Sequence, residues 1–245
     1  MASIPDPMFR QTTRDFCVNQ QFRKDYWVKG CRTLTALEQA EALRGQRILL
    51  AQPRADVGLK VTGSLGEATL QEAVYGPILD QLADHKPKTL GQLEQALKAT
   101  PSTQSLSFAQ ILQAAMVLSA TGAVQAVQDD AVVQIAKKRT GRLNVYLMTK
   151  ARSSNELSYL ASPVTGGGVT VPRFQQLFLL AKQQGHKHPQ DWANFVWNIL
   201  ALQNQRLVKD GKTLETVEEN LAELTAQASE FAEKQLPILK ALQIA

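Results

Sequence analysis

The spacing of apolar positions along the chain predicts short amphipathic helices separated by short strands. The clearest pattern runs from Ser107 to Gly122, where apolar residues recur at helical spacing and a glycine follows the last turn. Residues 123–127 then alternate between apolar and polar, which favours a short strand. Further helices are predicted from Glu67 to Asp84 and from Thr89 to Leu97. Three helices followed by a β-ribbon are the elements of a winged helix.

Helix starts are marked by capping boxes, in which a Ser or Thr hydroxyl and a Glu or Gln side chain satisfy backbone donors reciprocally. Four such patterns mark helix starts predicted in the first half of the chain: Thr35–Glu38, Ser64–Glu67, Thr89–Gln92 and Ser107–Gln110. The last three precede the helices of the predicted winged-helix-like unit.

The first sixty residues are predicted to form a helical and hairpin segment. A polar helix bearing several aromatic residues is expected over 8–29, closed by Gly30, and a second helix from Thr35 to near Gly45. Residues 47–51 and 57–61 have the composition of two strands that could form a hairpin.

The C-terminal part predicts a mixture of helices and hairpins. We expect a helix near 142–153, two strands around a glycine turn over 159–171, and helices around 174–181 and 192–202. A hairpin with Asp210 and Gly211 at its turn follows. Because helix, helix and hairpin repeat the order of 89–133, a second winged-helix-like half is an open alternative. Apolar positions from Leu214 to Phe231 predict one long helix that ends before Pro237.

These elements predict a mainly α protein of the α+β type, with a winged-helix-like domain, a helical C-terminal region with short hairpins, and no Rossmann sheet. Strand content should lie below the roughly 20–25% usual for globular domains. The predicted boundaries are 1–60, 61–135 and 136–245.

Composition changes this picture little, since 44% hydrophobic and 20% charged residues are ordinary for a globular protein. No apolar run reaches the roughly 18 residues of a membrane helix, and the N-terminus lacks a signal-peptide pattern. Cys17 and Cys31 have no metal-ligand spacing and are interpreted as reduced thiols. We therefore expect a bacterial, cytoplasmic protein.

Charge is distributed unevenly, and this bears on nucleic-acid binding. Residues 61–135 carry three Lys or Arg against seven Asp or Glu, and the predicted third helix has neither Lys nor Arg. Residues 1–60 carry ten against six and residues 136–245 carry fourteen against nine. Since DNA readers place positive charge on the reading element, nucleic acid is a disfavoured partner.

A search for chemistry identifies no catalytic, cofactor-binding or metal-ligating residue. The pair Gly63 and Gly66 has too few glycines for a dinucleotide loop, and Gly166–Gly168 is better explained as a hairpin turn. His186 and His188 have no accompanying carboxylate or thiol pattern and are interpreted as a solvated loop. We therefore expect no enzyme activity from this chain alone. A stand-alone enzyme with an unrecognised site stays an open alternative.

The N-terminal helix carries the best candidate for a contact with a partner. Its aromatic residues lie on more than one face and alternate with basic residues, so more than one element should cover them. Phe22 and Arg23 are the candidate contact residues. Trp27 lies beside Gly30, where the chain can turn back, and is expected to pack internally.

The segment from Asp15 to Asp25, which includes Phe22 and Arg23, resembles the start of the regulatory region of bacterial S-adenosylmethionine-dependent methyltransferases. This predicted methyltransferase regulatory domain family includes protein-lysine methyltransferases. Residues 54–67, 160–169 and 236–239 also resemble its C-terminal half, so the resemblance extends over essentially the whole chain.

In that family a cofactor-binding Rossmann domain precedes this region, and the sequence here has no counterpart. The resemblance implies a non-catalytic regulatory or substrate-presenting module, as an excised fragment or a separate subunit. Its expected partners are a methyltransferase catalytic domain and a protein substrate, with a homodimer as a further alternative. S-adenosylmethionine is expected only on the associated catalytic domain. The alternative function is that of a winged-helix DNA-binding regulator.

Overall fold

The computed structural model describes residues 3–22, 29–30, 32–63 and 66–245. The chain divides into two compact units, residues 1–39 and 40–245, with the division inside a helix. Strands make up 12% of the structure, in small antiparallel sheets, and no large Rossmann-like sheet is present among the described residues. The predicted mainly α fold class is confirmed.

The first unit contains helix α1 (Pro7–Cys17) and the start of helix α2 (Ala36–Arg44). Residues 18–22 are not helical, so the long helix predicted over 8–29 ends at Cys17 in the part of it that can be described. The predicted capping box at α2 is formed, because Glu38 Oε2 accepts from the Thr35 backbone N–H at 2.8 Å. That hydrogen bond holds the pKa of Glu38 below its ordinary value.

In the second unit, three strands form an antiparallel sheet with Arg47–Leu50 at its centre, between Lys88–Thr89 and Val124–Ala126. Strand β1 is Arg47–Leu50; strands β2 (Lys60–Gly63) and β3 (Gly66–Thr69) form a separate hairpin; β4 is Lys88–Thr89 and β5 is Val124–Ala126. The hairpin predicted between 47–51 and 57–61 is therefore wrong. The apolar run of β1 is buried on both faces, which requires a partner strand on each edge and packing on each side.

Strand β1 separates two hydrophobic cores. Ile48 and Leu50 point into one core and Leu49 into the other, as the two-residue period of a strand requires. The first core is closed by helices α3 (Glu72–Leu82), α4 (Leu90–Lys98) and α5 (Phe108–Ala120).

The structure departs from the predicted winged-helix-like unit in two places. Residues 66–69 form β3 rather than the start of a helix, so the pattern at Ser64–Glu67 caps no helix there. The chain after β5 enters helix α6 (Asp130–Lys150), so residues 127–135 do not complete a ribbon; β1 pairs with β5 instead. The capping boxes at Thr89 and Ser107 are both formed.

The second core is built by the C-terminal elements. These are hairpin β6 (Tyr159–Ser162) and β7 (Gly167–Thr170), helices α7 (Arg173–Gln183) and α8 (Pro189–Leu202), hairpin β8 (Val208–Lys209) and β9 (Lys212–Thr213), and helix α9 (Val217–Glu230). The two hairpins and the helices α7 and α8 were all expected from the sequence.

The last helix does not stop before Pro237. A π-helical turn (Phe231–Gln235) follows α9, and helix α10 (Leu236–Ala241) continues from it. Proline cannot donate a backbone hydrogen bond, and the widened turn accommodates this: the N–H of Leu236 bonds to the carbonyl of Phe231, five residues back. The predicted end of the helix is therefore corrected.

Candidate partner-binding site

Helix α1 begins at a defined N-cap. The side chain of Asp6 accepts a hydrogen bond from the Phe9 backbone N–H at 2.8 Å, and Pro7 occupies the first helical position. The guanidinium of Arg10 donates to the carbonyl of Ile4 at 2.8 Å and 3.0 Å, which holds the preceding chain against the helix. The start of this helix is thus locally determined.

An apolar face runs along α1 and none of its residues is buried. Phe9 and Phe16 are seven residues apart, about two helical turns, so they lie on one side of the helix, and Met8 precedes Phe9 at the edge of that side. Their exposed fractions are 60%, 61% and 84%. Large apolar groups this exposed on one side of a helix are typical of a surface that a partner covers.

A shallow cavity of about 220 Å³ lies at the end of this face. Its lining is polar apart from Phe16 and consists of Thr12, Asp15, Phe16, Asn19, Gln20 and Gln21. Asn19 adopts a left-handed backbone with φ of 51°, which turns the chain after the helix. The side chain of Gln20 donates to the carbonyl of Phe22 and so closes a local loop.

Phe22, one of the two candidate contact residues, lies in this loop and is 84% exposed. Arg23, the other candidate, and Trp27 both lie outside the described residues. The structure therefore places Phe22 in the same segment as the exposed face of α1, with most of its side chain exposed. This arrangement can offer aromatic groups to a partner.

The glycine motifs do not have the geometry of a nucleotide loop. Gly63 and Gly66 are partners across the antiparallel hairpin β2–β3, so they connect two strands rather than a strand and a helix. The dinucleotide and S-adenosylmethionine loops of Rossmann sheets need a strand-to-helix turn. Gly166 to Gly168 lie in the turn and first strand residues of hairpin β6–β7, as predicted. The residues present at these positions do not fit the cofactor.

His186 and His188 are both exposed and precede α8. The ring of His186 lies 5.7 Å from that of Phe195, and its carbonyl accepts from the Trp192 indole at 2.8 Å. His188 precedes α8, where its backbone N–H donates to Asp191. Among the residues that can be described, no three His, Cys, Asp or Glu side chains are grouped as a metal site.

Two charged features were not identified as sites from the sequence. Glu94 is buried and its carboxylate meets Arg44 at 2.7 Å and Lys98 at 2.7 Å. The basic residues 137–142, just before the helix predicted near 142–153, lie within α6 beside exposed apolar residues. From the sequence, the position of these basic residues on one helix could have been indicated only by the helical spacing of apolar residues over 130–150.

The third helix, α5, has no charged side chain, which agrees with its sequence. On the hairpin β8–β9, Lys209 is already paired with Glu223 at 2.7 Å. No helix in the described part of the chain has both the length and the apolar character needed to cross a bilayer.

Comparison with known proteins gives two findings. The family model described as "predicted methyltransferase regulatory domain" matches residues 1–29, which confirms the predicted resemblance over that segment. An uncharacterised protein of Synechocystis is 37% identical over 244 residues, covering 100% of this chain and 46% of its own length. The chain thus spans about half the length of this relative. No solved structure matches the chain.

Proposed function

We propose, from the match of residues 1–29 to the predicted methyltransferase regulatory domain, that this chain is a non-catalytic regulatory and substrate-presenting module of an S-adenosylmethionine-dependent protein methyltransferase. In this proposal the catalytic domain lies outside the chain and holds the cofactor. A methyltransferase catalytic domain and a protein substrate are the partners.

The observation that carries the proposal is that the matched segment contains three large aromatic side chains that are exposed. Phe9, Phe16 and Phe22 all lie within residues 1–29 and are 61% to 84% exposed. Covering one such side chain contributes about 1.5–3 kcal/mol, so these three side chains are candidate anchors of a contact.

The length of the Synechocystis relative supports a division of labour. More than half of that protein lies outside the part that this chain matches, which is ample for a separate domain. The hairpin geometry at Gly63 and Gly66 supports the same division, since these residues do not form a cofactor loop.

Titration calorimetry of the chain with S-adenosylmethionine is the first test. We expect no heat of binding at micromolar cofactor. Micromolar affinity for this chain alone would contradict the proposal, because the cofactor site would then be internal.

The second test uses the full-length Synechocystis relative, intact and with the matched half removed. We expect the shortened protein to keep its affinity for S-adenosylmethionine and to lose transfer of a labelled methyl group to protein. Adding this chain in trans should restore transfer, and Phe22→Ala should weaken the restoration. Leu202→Ala is the matched control, since Leu202 is equally exposed but lies on α8. Unchanged transfer after removal of the matched half would contradict the proposal.

A further inference from the structure

We propose that the solvent-facing side of α6 is a docking surface for an acidic amphipathic helix of another protein. This proposal goes beyond the function proposed above and does not depend on any methyltransferase activity. It rests on how α6 is anchored, on which of its residues face solvent, and on their charge.

Helix α6 is held to the fold by a narrow strip. Of its 21 residues only Val133, Asn144 and Met148 are buried. Asn144 fixes the rotation of the helix, because its side-chain amide donates to the Ala161 carbonyl at 2.8 Å and accepts from the Ala161 N–H at 2.7 Å. The opposite side of the helix therefore faces solvent in a defined orientation.

Apolar and cationic side chains share that opposite side. Ile135, Arg139, Arg142 and Tyr146 follow one another at steps of four, three and four residues, which places them in one stripe. Ile135 is 73% exposed and Tyr146 is 59% exposed. The stripe is flanked by further large apolar side chains that are also exposed: Val132, Leu143 and Val145.

The charge on this side is all positive. Lys138, Arg139 and Arg142 lie close together, and the sequence has no Asp or Glu from residue 131 to residue 155. Within the described residues none of these three cations forms an ion pair. Lys150 lies over the ring of Tyr146 at 5.5 Å and adds to the positive field.

The mixing of apolar and cationic groups selects among classes of partner. A helix that lies in a membrane surface separates an apolar face from its cations, whereas here insertion of Ile135 and Tyr146 would also bury Arg139. Nucleic-acid phosphates need the cations but leave the exposed apolar groups uncovered. An acidic amphipathic helix satisfies both, because its carboxylates pair with Arg139 and Arg142 while its apolar side chains cover Ile135 and Tyr146.

The test measures binding of a fluorescent helical peptide made of Leu, Ala and Glu to the full chain by anisotropy. The comparison probes are the same peptide with Lys in place of Glu, a DNA duplex, and phosphatidylserine vesicles. We expect the acidic peptide to bind more tightly than all three. The double variant Arg139→Glu/Arg142→Glu should weaken it at least about tenfold, and Ile135→Ala/Tyr146→Ala should do the same.

The matched control is Lys187→Glu/Lys212→Glu, which makes the same change of net charge at exposed positions away from α6. It should leave the affinity within about twofold, and thermal melting should show that every variant is folded. Equal weakening by the control would show nonspecific charge attraction and overturn the proposal. Failure of the acidic peptide to bind would also overturn the proposal. So would tighter binding of the duplex or the vesicles than of the acidic peptide, if the Arg139→Glu/Arg142→Glu variant lost that binding.

Discussion

Arg44 and Glu94 are fifty residues apart in the sequence, and a hydrogen bond of 2.7 Å joins the Arg44 Nε to the Glu94 carboxylate. The same guanidinium lies over the ring of Phe108 at 4.3 Å, so Arg44 connects α2 to both α4 and α5. Hydrogen bonds from Arg44 and then Lys98 lower the pKa of Glu94 from 4.5 to about 2.

This lowered pKa predicts an acid-dependent loss of stability. The folded state favours ionised Glu94, so its contribution is complete above pH 4.5 and is lost as the pH falls through about 2. Glu94→Gln should cost about 2–3 kcal/mol at neutral pH and much less near pH 2. Urea unfolding against pH measures this. Glu156→Gln, at an exposed position, is the control. Parallel curves for Glu94→Gln and the wild type would contradict the prediction.

A second prediction concerns Asn220, which is fully buried at the start of α9. Its side chain accepts from the Leu207 N–H at 2.9 Å and donates to the carbonyls of Leu214 and Thr216 at 2.9 and 2.7 Å. These bonds hold the base of hairpin β8–β9 against the helix. Asn220→Ala should cost about 3 kcal/mol, because it leaves buried backbone groups unpaired.

The measurement for Asn220→Ala is the free energy of unfolding in urea. Asn155→Ala is the control, since Asn155 is exposed. If the two variants differ by less than about 0.5 kcal/mol, the anchoring role of Asn220 is wrong.

The turn of hairpin β6–β7 gives a third prediction. Gly166 has φ of +72°, and a Cβ there would lie 2.8 Å from the Nε2 of Gln128. Gly166→Ala should therefore cost about 1–2 kcal/mol from the left-handed backbone alone. Gly167→Ala is the control, because a Cβ at Gly167 meets nothing within 4 Å. Equal thermal stability of the two variants would contradict this account.

Features that depend on neighbouring residues were predictable from the sequence. The capping boxes at Thr89 and Ser107 need only residues three positions apart, and both formed. The same pattern at Ser64 failed, because residues 66–69 pair with 60–63 and Gly66 takes a φ of +128°. Strand pairing with an upstream segment outweighed the local signal.

Features that depend on distant residues were not predictable. The strand at Arg47–Leu50 was identified, but its partners lie near residues 88 and 125, and an apolar run does not specify its neighbours. Helix α6 begins at Asp130, well before the predicted start near 142. Its exposed Ile135 and Val132 disturb the apolar stripe from which a helix is recognised.

Only part of the candidate site could be predicted from the sequence. Aromatic residues in the N-terminal segment predicted a partner contact, and the structure adds Met8, Phe9 and Phe16 of α1 to the exposed apolar residues of that segment. The sequence predicted that these aromatic residues lie on several faces of one long helix. In the structure α1 ends at Cys17, so Phe22 lies on a loop.

The last prediction separates a contact residue from a core residue. Phe22 is 84% exposed, whereas Phe178 is 1% exposed and lies 5.7 Å from the ring of Phe231. Phe22→Ala should leave the free energy of unfolding within about 0.5 kcal/mol of the wild type, since truncating an exposed side chain creates no cavity. Phe178→Ala should cost about 3–5 kcal/mol, because it removes buried surface and leaves a cavity. Calorimetric melting of the two variants measures this difference. A loss at Phe22 as large as that at Phe178 would assign Phe22 to an internal core and remove it from the proposed partner contact.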